Sequence, residues 1–129
     1  ALAGTAVERA REAGAPIFAG WRTLPVPADP KAAAVHHLNG LRELRFAHHV
    51  AAVVAQGISP LEAMSVRSPH MLPLFGWAEA APTDGVQERW ERAEAQTDVA
   101  LSHAFAALDE PERDELVELT NALHEATAG

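Results

Sequence analysis

Arg42 and Arg45 stand three residues apart, and His49 follows four further on. On an α-helix turning about 100° per residue, the three fall along one side, with Leu38 and Gln56 on the same line. Guanidinium groups one turn apart can grip a carboxylate or phosphate through paired N–H···O bonds, and a protonated imidazole can add a further donor. Such a set would make a small anionic ligand site. A plainer reading pairs the arginines with Glu94 and Asp98, which sit four apart on one face of a later, acidic helix. A third use is a subunit interface. The ligand-binding candidates are therefore Arg42, Arg45, His49, Glu94 and Asp98.

Other chemistry finds less support. Seven histidines invite a metal, yet adjacent ones diverge by about 100° on a helix, and His37 to His48 spans about 16 Å of helix axis. No H-E-x-x-H spacing occurs, so neither a metal nor a cofactor is expected. Ser59, Ser65 and Ser68 lack a nucleophile-elbow context, while Ser102 and His103 are consecutive and point apart. No glycine-rich phosphate loop is present. An enzyme would have to use His49 with Glu94 or Asp98 as an acid–base pair. Trp21, Trp77 and Trp90, with Phe18, Phe46 and Phe75, could line an apolar pocket beside the arginines, or could simply be core. Such a pocket would suit an amphipathic ligand with an acidic group.

Elements able to position these residues are helical. Alanine is abundant, tyrosine is absent, and apolar residues recur at spacings of three and four, not two. The expectation is an all-α bundle of about four to five helices, with a long central helix and packed proline-rich loops. A short first helix runs from Ala1 to Ala13 and ends at Gly14 and Pro16. The stretch IFAGWRTLPVPADP then reads as an irregular strap whose Ile17, Phe18 and Trp21 are buried. The central helix spans about Lys31 to Gln56, entered through Asp29 and Pro30 and stopped by Gly57. Its far, solvated face would hold His36 and Glu43. Ser59, Pro60 and Glu62 give a capping-box start to a short third helix. VRSPHMLPLFGWAEAAPTDG reads as a packed loop. The fourth helix, about Gly85 to Ala107 with Asp84 as cap, buries Val86, Trp90, Ala93, Thr97, Ala100, Ala104 and Leu108. Asp109 and Glu112 start the fifth, which would bury Leu116, Leu119, Leu123 and Ala126 or Thr127.

A chain of 129 residues is read as one helical domain, 1–129, or as a piece of a longer protein, since it begins at Ala1 without methionine. No cysteine is present, which excludes disulfides and thiol chemistry. No run approaches the roughly 18 apolar residues of a membrane span. A cytoplasmic protein without membrane contact is the expectation. The formal charge is -8, and from Gly76 onward 13 acidic residues face three basic ones. Between Lys31 and Phe75 the balance reverses, with Lys31, Arg42, Arg45 and Arg67 against Glu43 and Glu62. An anion, if bound, binds there.

The stretch LRELRFAHHVAAVVAQGISPLEA, together with RAEAQTDVALSHAFAAL, resembles the C-terminal half of a helical family of poorly characterised actinobacterial proteins described as MarR-like or helix-turn-helix-like. Against that family's pattern Arg42, Glu43, Arg45, His49 and Val50 are retained, while Leu44 and Ala47 stand where it has histidine and aspartate. The later element is present as Glu94, Ala95, Thr97 and Asp98. The resemblance implies a polar face between the arginine helix and the helix carrying Thr97 and Asp98. Relatives have a longer segment between the two parts, read as a winged helix-turn-helix. Here only Val66 to Thr83 joins them, so the resemblance does not bring an evident winged helix with it.

Three function classes follow. The leading one is a noncatalytic helical module that binds a small anionic or apolar ligand, or a protein partner. A DNA-associated regulator is the second, and would need a basic stripe of Arg22, Lys31, Arg42, Arg45 and Arg67, against which the acidic balance counts. An enzyme is the third. A homodimer through the last two helices is a further expectation.

Overall fold

The computed structural model describes residues 1–77 and 83–127. Within these residues the protein is all-α, with no strand and a long central helix, as composition and periodicity require. The helices are α1 (Leu2–Arg9), α2 (Pro16–Trp21), α3 (Pro30–Ala55), α4 (Pro60–Arg67), α5 (Val86–Phe105) and α6 (Glu110–Thr127), with a 3-10 segment over Pro69–Phe75. Among the described residues no helix is long and apolar enough to cross a membrane. Two compact units are distinguished, one of 1–45 with 101–129 and one of 46–100.

In the first unit, α1 ends at Arg9, four residues before the expected end, because Ala10 is already extended (φ -63, ψ 142). Tertiary bonds complete the backbone there. The Arg22 guanidinium donates to the carbonyls of Ala10 at 2.9 Å and Glu8 at 3.4 Å, and His103 Nε2 accepts the Arg11 amide at 2.9 Å. A helix that stops without a glycine can do so when distant groups take over its orphan carbonyls.

The strap expected after Pro16 is helical only over its first part, as α2, since proline at the first position starts a helix as readily as it breaks one, while residues 22–29 are turn and irregular chain as expected. Of its three apolar residues only Phe18 is fully buried. Trp21 is half-buried and Ile17 is 58% exposed. Trp21 Nε1 donates to the His36 carbonyl at 3.0 Å, and its ring lies against the His36 imidazole with centroids 5.4 Å apart. His36 is therefore half-buried rather than on a solvated face. So is Glu43, whose side chain is only 16% exposed.

Close approach of α1 and α3 rests on Gly4, where an added Cβ would meet His37 Nε2 at 3.2 Å. Burial holds the His37 imidazole below the ordinary histidine value, and neighbouring His36 adds to this while Glu8 opposes it.

In the second unit, Gly57 (φ 66) turns the chain out of α3 and Ser59 caps α4. The capping box is complete: the Ser59 hydroxyl accepts the Glu62 amide, and the Glu62 carboxylate accepts the Ser59 amide at 2.8 Å. Ala52, Ile58, Val86 and Ala93 form the core here, with Val53, Val66 and Trp90 packed against it. Val86, Ala93, Thr97, Ala104 and Leu108 are buried, and Trp90 and Ala100 half-buried, as the spacing predicts for α5.

Two expectations are corrected. The segment after α4 is a 3-10 helix, and its Leu74 and Phe75 are 76% and 51% exposed instead of covering a core. Phe75 stacks on Trp77 with centroids 5.3 Å apart. The remainder of that expected loop, residues 78–82, lies outside the described residues. The helix α6 does begin with the expected Asp109 and Glu112 box, at 3.0 and 2.9 Å. Yet it buries none of its residues, so its leucine stripe is not a core face.

The glycine contacts lead to paired expectations. Gly4→Leu should lower the unfolding free energy by about 1–3 kcal/mol through overpacking against His37. Gly20→Ala, with nothing within 4 Å of the added Cβ, should gain roughly 0.5–1 kcal/mol. Urea denaturation of the two variants measures both.

Candidate functional site

Arg42 and Arg45 lie on consecutive turns of α3, within the first unit. They line a cavity of 510 Å³ whose remaining walls are Leu38 and Leu41 of α3, Leu101 and Phe105 of α5, and Leu116, Val117, Thr120 and Asn121 of α6. The walls are almost wholly apolar. Arg42, Arg45, Thr120 and Asn121 are its polar residues, and the Thr120 hydroxyl is committed to the Leu116 carbonyl at 2.7 Å. The Arg42 side chain is 75% exposed and pairs with Glu43 at 3.6 Å. An ion pair so open to water holds its partner weakly, so a better-placed anion can displace it.

The other three candidates belong to the second unit. His49 Nδ1 lies 3.2 Å from the Thr97 hydroxyl and 4.0 Å from a Glu94 carboxylate oxygen, and its ring meets Trp90 edge-on with centroids 5.1 Å apart. Thr97 is fully buried, and its hydroxyl donates to the Ala93 carbonyl at 2.7 Å. Its one proton being used there, the hydroxyl can only accept from His49. That places a proton on Nδ1 of the histidine. Asp98 is exposed. On the same line of α3, Gln56 bonds Gln96 at 3.2 Å and accepts from Arg92 at 3.1 Å. The single polar line of the sequence thus serves two environments, a cavity for the arginines and an α5 contact for His49 and Gln56.

Of the aromatic residues expected to line a pocket, Trp90 packs on His49, Phe18 is core, and Phe46 is 55% exposed. The aromatic wall of the arginine cavity is Phe105, which the sequence reading passed over. Leu101 and Val117 carry no sequence signal for this wall either, and Leu116 is expected in a core face, not in a pocket. A signal existed in the apolar spacing of α6, but it was assigned to a buried face. Among the described residues no three His, Asp or Glu side chains gather as a metal ion would need.

A second polar cluster was legible only in part. The Glu62 carboxylate accepts from Ser59 through backbone and side chain, from the Thr83 hydroxyl, and from Arg89 at 2.7 Å. The Thr83 bond, then those from Ser59, together with the Arg89 charge, hold its carboxyl down at about 2 from an ordinary 4.5. Through these bonds the cluster ties α4 to the start of α5.

The sign of the pH effect follows from that depression. A carboxyl lowered in the fold stabilises it fully above its ordinary value and loses that contribution as pH falls toward the folded value. Glu62→Gln should therefore lower the Tm at neutral pH and flatten the decline in Tm between about pH 4.5 and 2. Thermal melts across that range test it, and an unchanged acid slope would remove Glu62 as its source.

Comparison with known proteins adds one finding. A model described as a helix-turn-helix family matches residues 1–78, more than half of the chain, from α1 through the 3-10 segment. No curated protein and no solved structure gives a significant match.

Proposed function

Given that the chain belongs to this helix-turn-helix family, we propose that it is a noncatalytic helical module whose arginine cavity holds a small amphipathic carboxylate. The observation that carries this reading is the pairing of Arg42 and Arg45 with a 510 Å³ apolar hollow. Pockets of about 300–1,000 Å³ with a few placed polar groups are the usual size for small ligands. The apolar walls would take an alkyl or aryl body, and the guanidinium groups would take the acid head by charge-assisted bonds. His49 bonds Thr97 through Nδ1 and packs on Trp90, joining α3 to α5.

Decanoate and decanol separate the two parts of this recognition. In titration calorimetry decanoate should bind the wild type, and Arg42→Ala with Arg45→Ala should weaken it about tenfold or more, roughly 1.4 kcal/mol. Decanol should bind weakly and equally to both. Equal decanoate affinity for wild type and variant would remove the arginines from the site, and no binding to either would remove the site itself.

A MarR-like, DNA-associated regulator is the second reading, favoured by the family match and by the helix, tight turn and helix of α3, Gly57 and α4. Against it, α4 carries Arg67 as its one basic residue beside Glu62. A labelled duplex should show at most weak binding by fluorescence anisotropy. Binding that falls steeply with salt and is lost in Arg67→Ala would favour the regulator instead.

A further inference from the structure

A second hollow of the first unit adjoins the arginine cavity but has a different character. Leu2 of α1 and Ala33 and Ala34 of α3 form one wall, Leu116, Leu119 and Leu123 of α6 the other, and it encloses 470 Å³. Leu119 is 57% and Leu123 41% exposed. Its leucines recur at three and four, the spacing of a helix made to lie along another helix.

Charge distinguishes its two lips. Glu115 lines the groove at the edge of the leucine stripe, while at about 100° per residue Glu118 and Glu125 fall on the side of α6 turned away from it. The helix holds six carboxylates and one guanidinium, that of Arg113, which donates to the Leu108 carbonyl at 2.8 Å. The groove residues from α1 and α3 include no carboxylate. His37 among them is held toward its neutral form.

A second copy of this chain is a poor occupant. It would bring another such acidic edge and a further formal charge of -8 against the first, and like charges brought together oppose association. A cationic occupant gains where a copy loses.

We propose that the α6 groove docks a basic amphipathic helix of a partner protein. Apolar anchors of that helix, one turn apart, enter between Leu119, Leu123 and the α3 alanines, and a Lys or Arg residue faces Glu115 at the groove edge, within the wider negative field of α6. Helix-in-groove recognition of this kind reads anchors at i, i+3 or i+4 and i+7. The stretch from Glu115 to Leu123 is about 12 Å of helix axis, enough for two such turns.

The test uses the whole chain and two fluorescein-labelled amphipathic peptides of about 14 residues, roughly four turns, one built from leucine and lysine, the other from leucine and glutamate. By anisotropy the Leu/Lys peptide should bind at least about tenfold tighter than the Leu/Glu peptide. Leu119→Asp should abolish that binding with the circular dichroism unchanged. Glu115→Gln, a milder change that keeps the leucine stripe, should weaken it several-fold and reduce its salt dependence. Glu88→Gln with Glu91→Gln, on exposed α5 positions, should leave it as in the wild type.

Equal binding of the two peptides would overturn the proposal, as would equal weakening by the α5 pair, which would mean diffuse charge attraction. Light scattering supplies a further check: a concentration-dependent dimer lost in Leu119→Asp would give the groove to a second copy instead.

Discussion

A single carboxylate accepting from four donors holds the turn between α3 and α4 in place. Glu62 takes the amide and hydroxyl of Ser59 through one oxygen, and the Thr83 hydroxyl and Arg89 guanidinium through the other. A buried charge is expensive unless it is fully paired, and here the pairing joins three neighbouring pieces of chain: the tight turn at Gly57, the start of α4, and the start of α5. Trp90 and Ala93 follow Arg89 directly on α5, so fixing Arg89 also sets the face of α5 that meets Ala52 and His49. The buried Thr97 hydroxyl, one turn on, finds its histidine because that face is already chosen.

How much of this the sequence displayed depended on the range of the interaction. Both capping boxes were legible, because Ser59 with Glu62 and Asp109 with Glu112 lie three residues apart and the bonding is local. The buried face of α5 was legible because Val86, Ala93, Thr97, Ala104 and Leu108 share one helical period. The end of α1 was not, since what stops it is Arg22 reaching back to Ala10 and His103 reaching Arg11 across most of the chain. At Pro16 and Pro69 proline opens a helical segment, because a first-turn residue needs no amide donor, so the same residue that signals a break can signal a start. For α6 the period was right and the burial wrong: spacing shows that leucines share a side, and says nothing about what lies opposite them.

The candidate site was legible to a similar degree. Arg42 and Arg45 stood out by type and spacing, and they do share one cavity. His49, Glu94 and Asp98 were joined to them by helical geometry alone, and His49 is instead committed to Thr97, with Glu94 nearby. The family match ends at residue 78, so it includes the arginines and α3 but not Leu101, Phe105 or the α6 residues that complete the hollow.

The absence of any buried residue in α6 has a thermodynamic consequence for that pocket. Its first turn is fastened by the Asp109 and Glu112 box and by Arg113 on the Leu108 carbonyl, beside the buried Leu108. The later turns hold their place by half-exposed leucines, which places them at the low end of local stability. Any molecule bound against that wall would have its affinity lowered in proportion to whatever fraction of chains has α6 unseated.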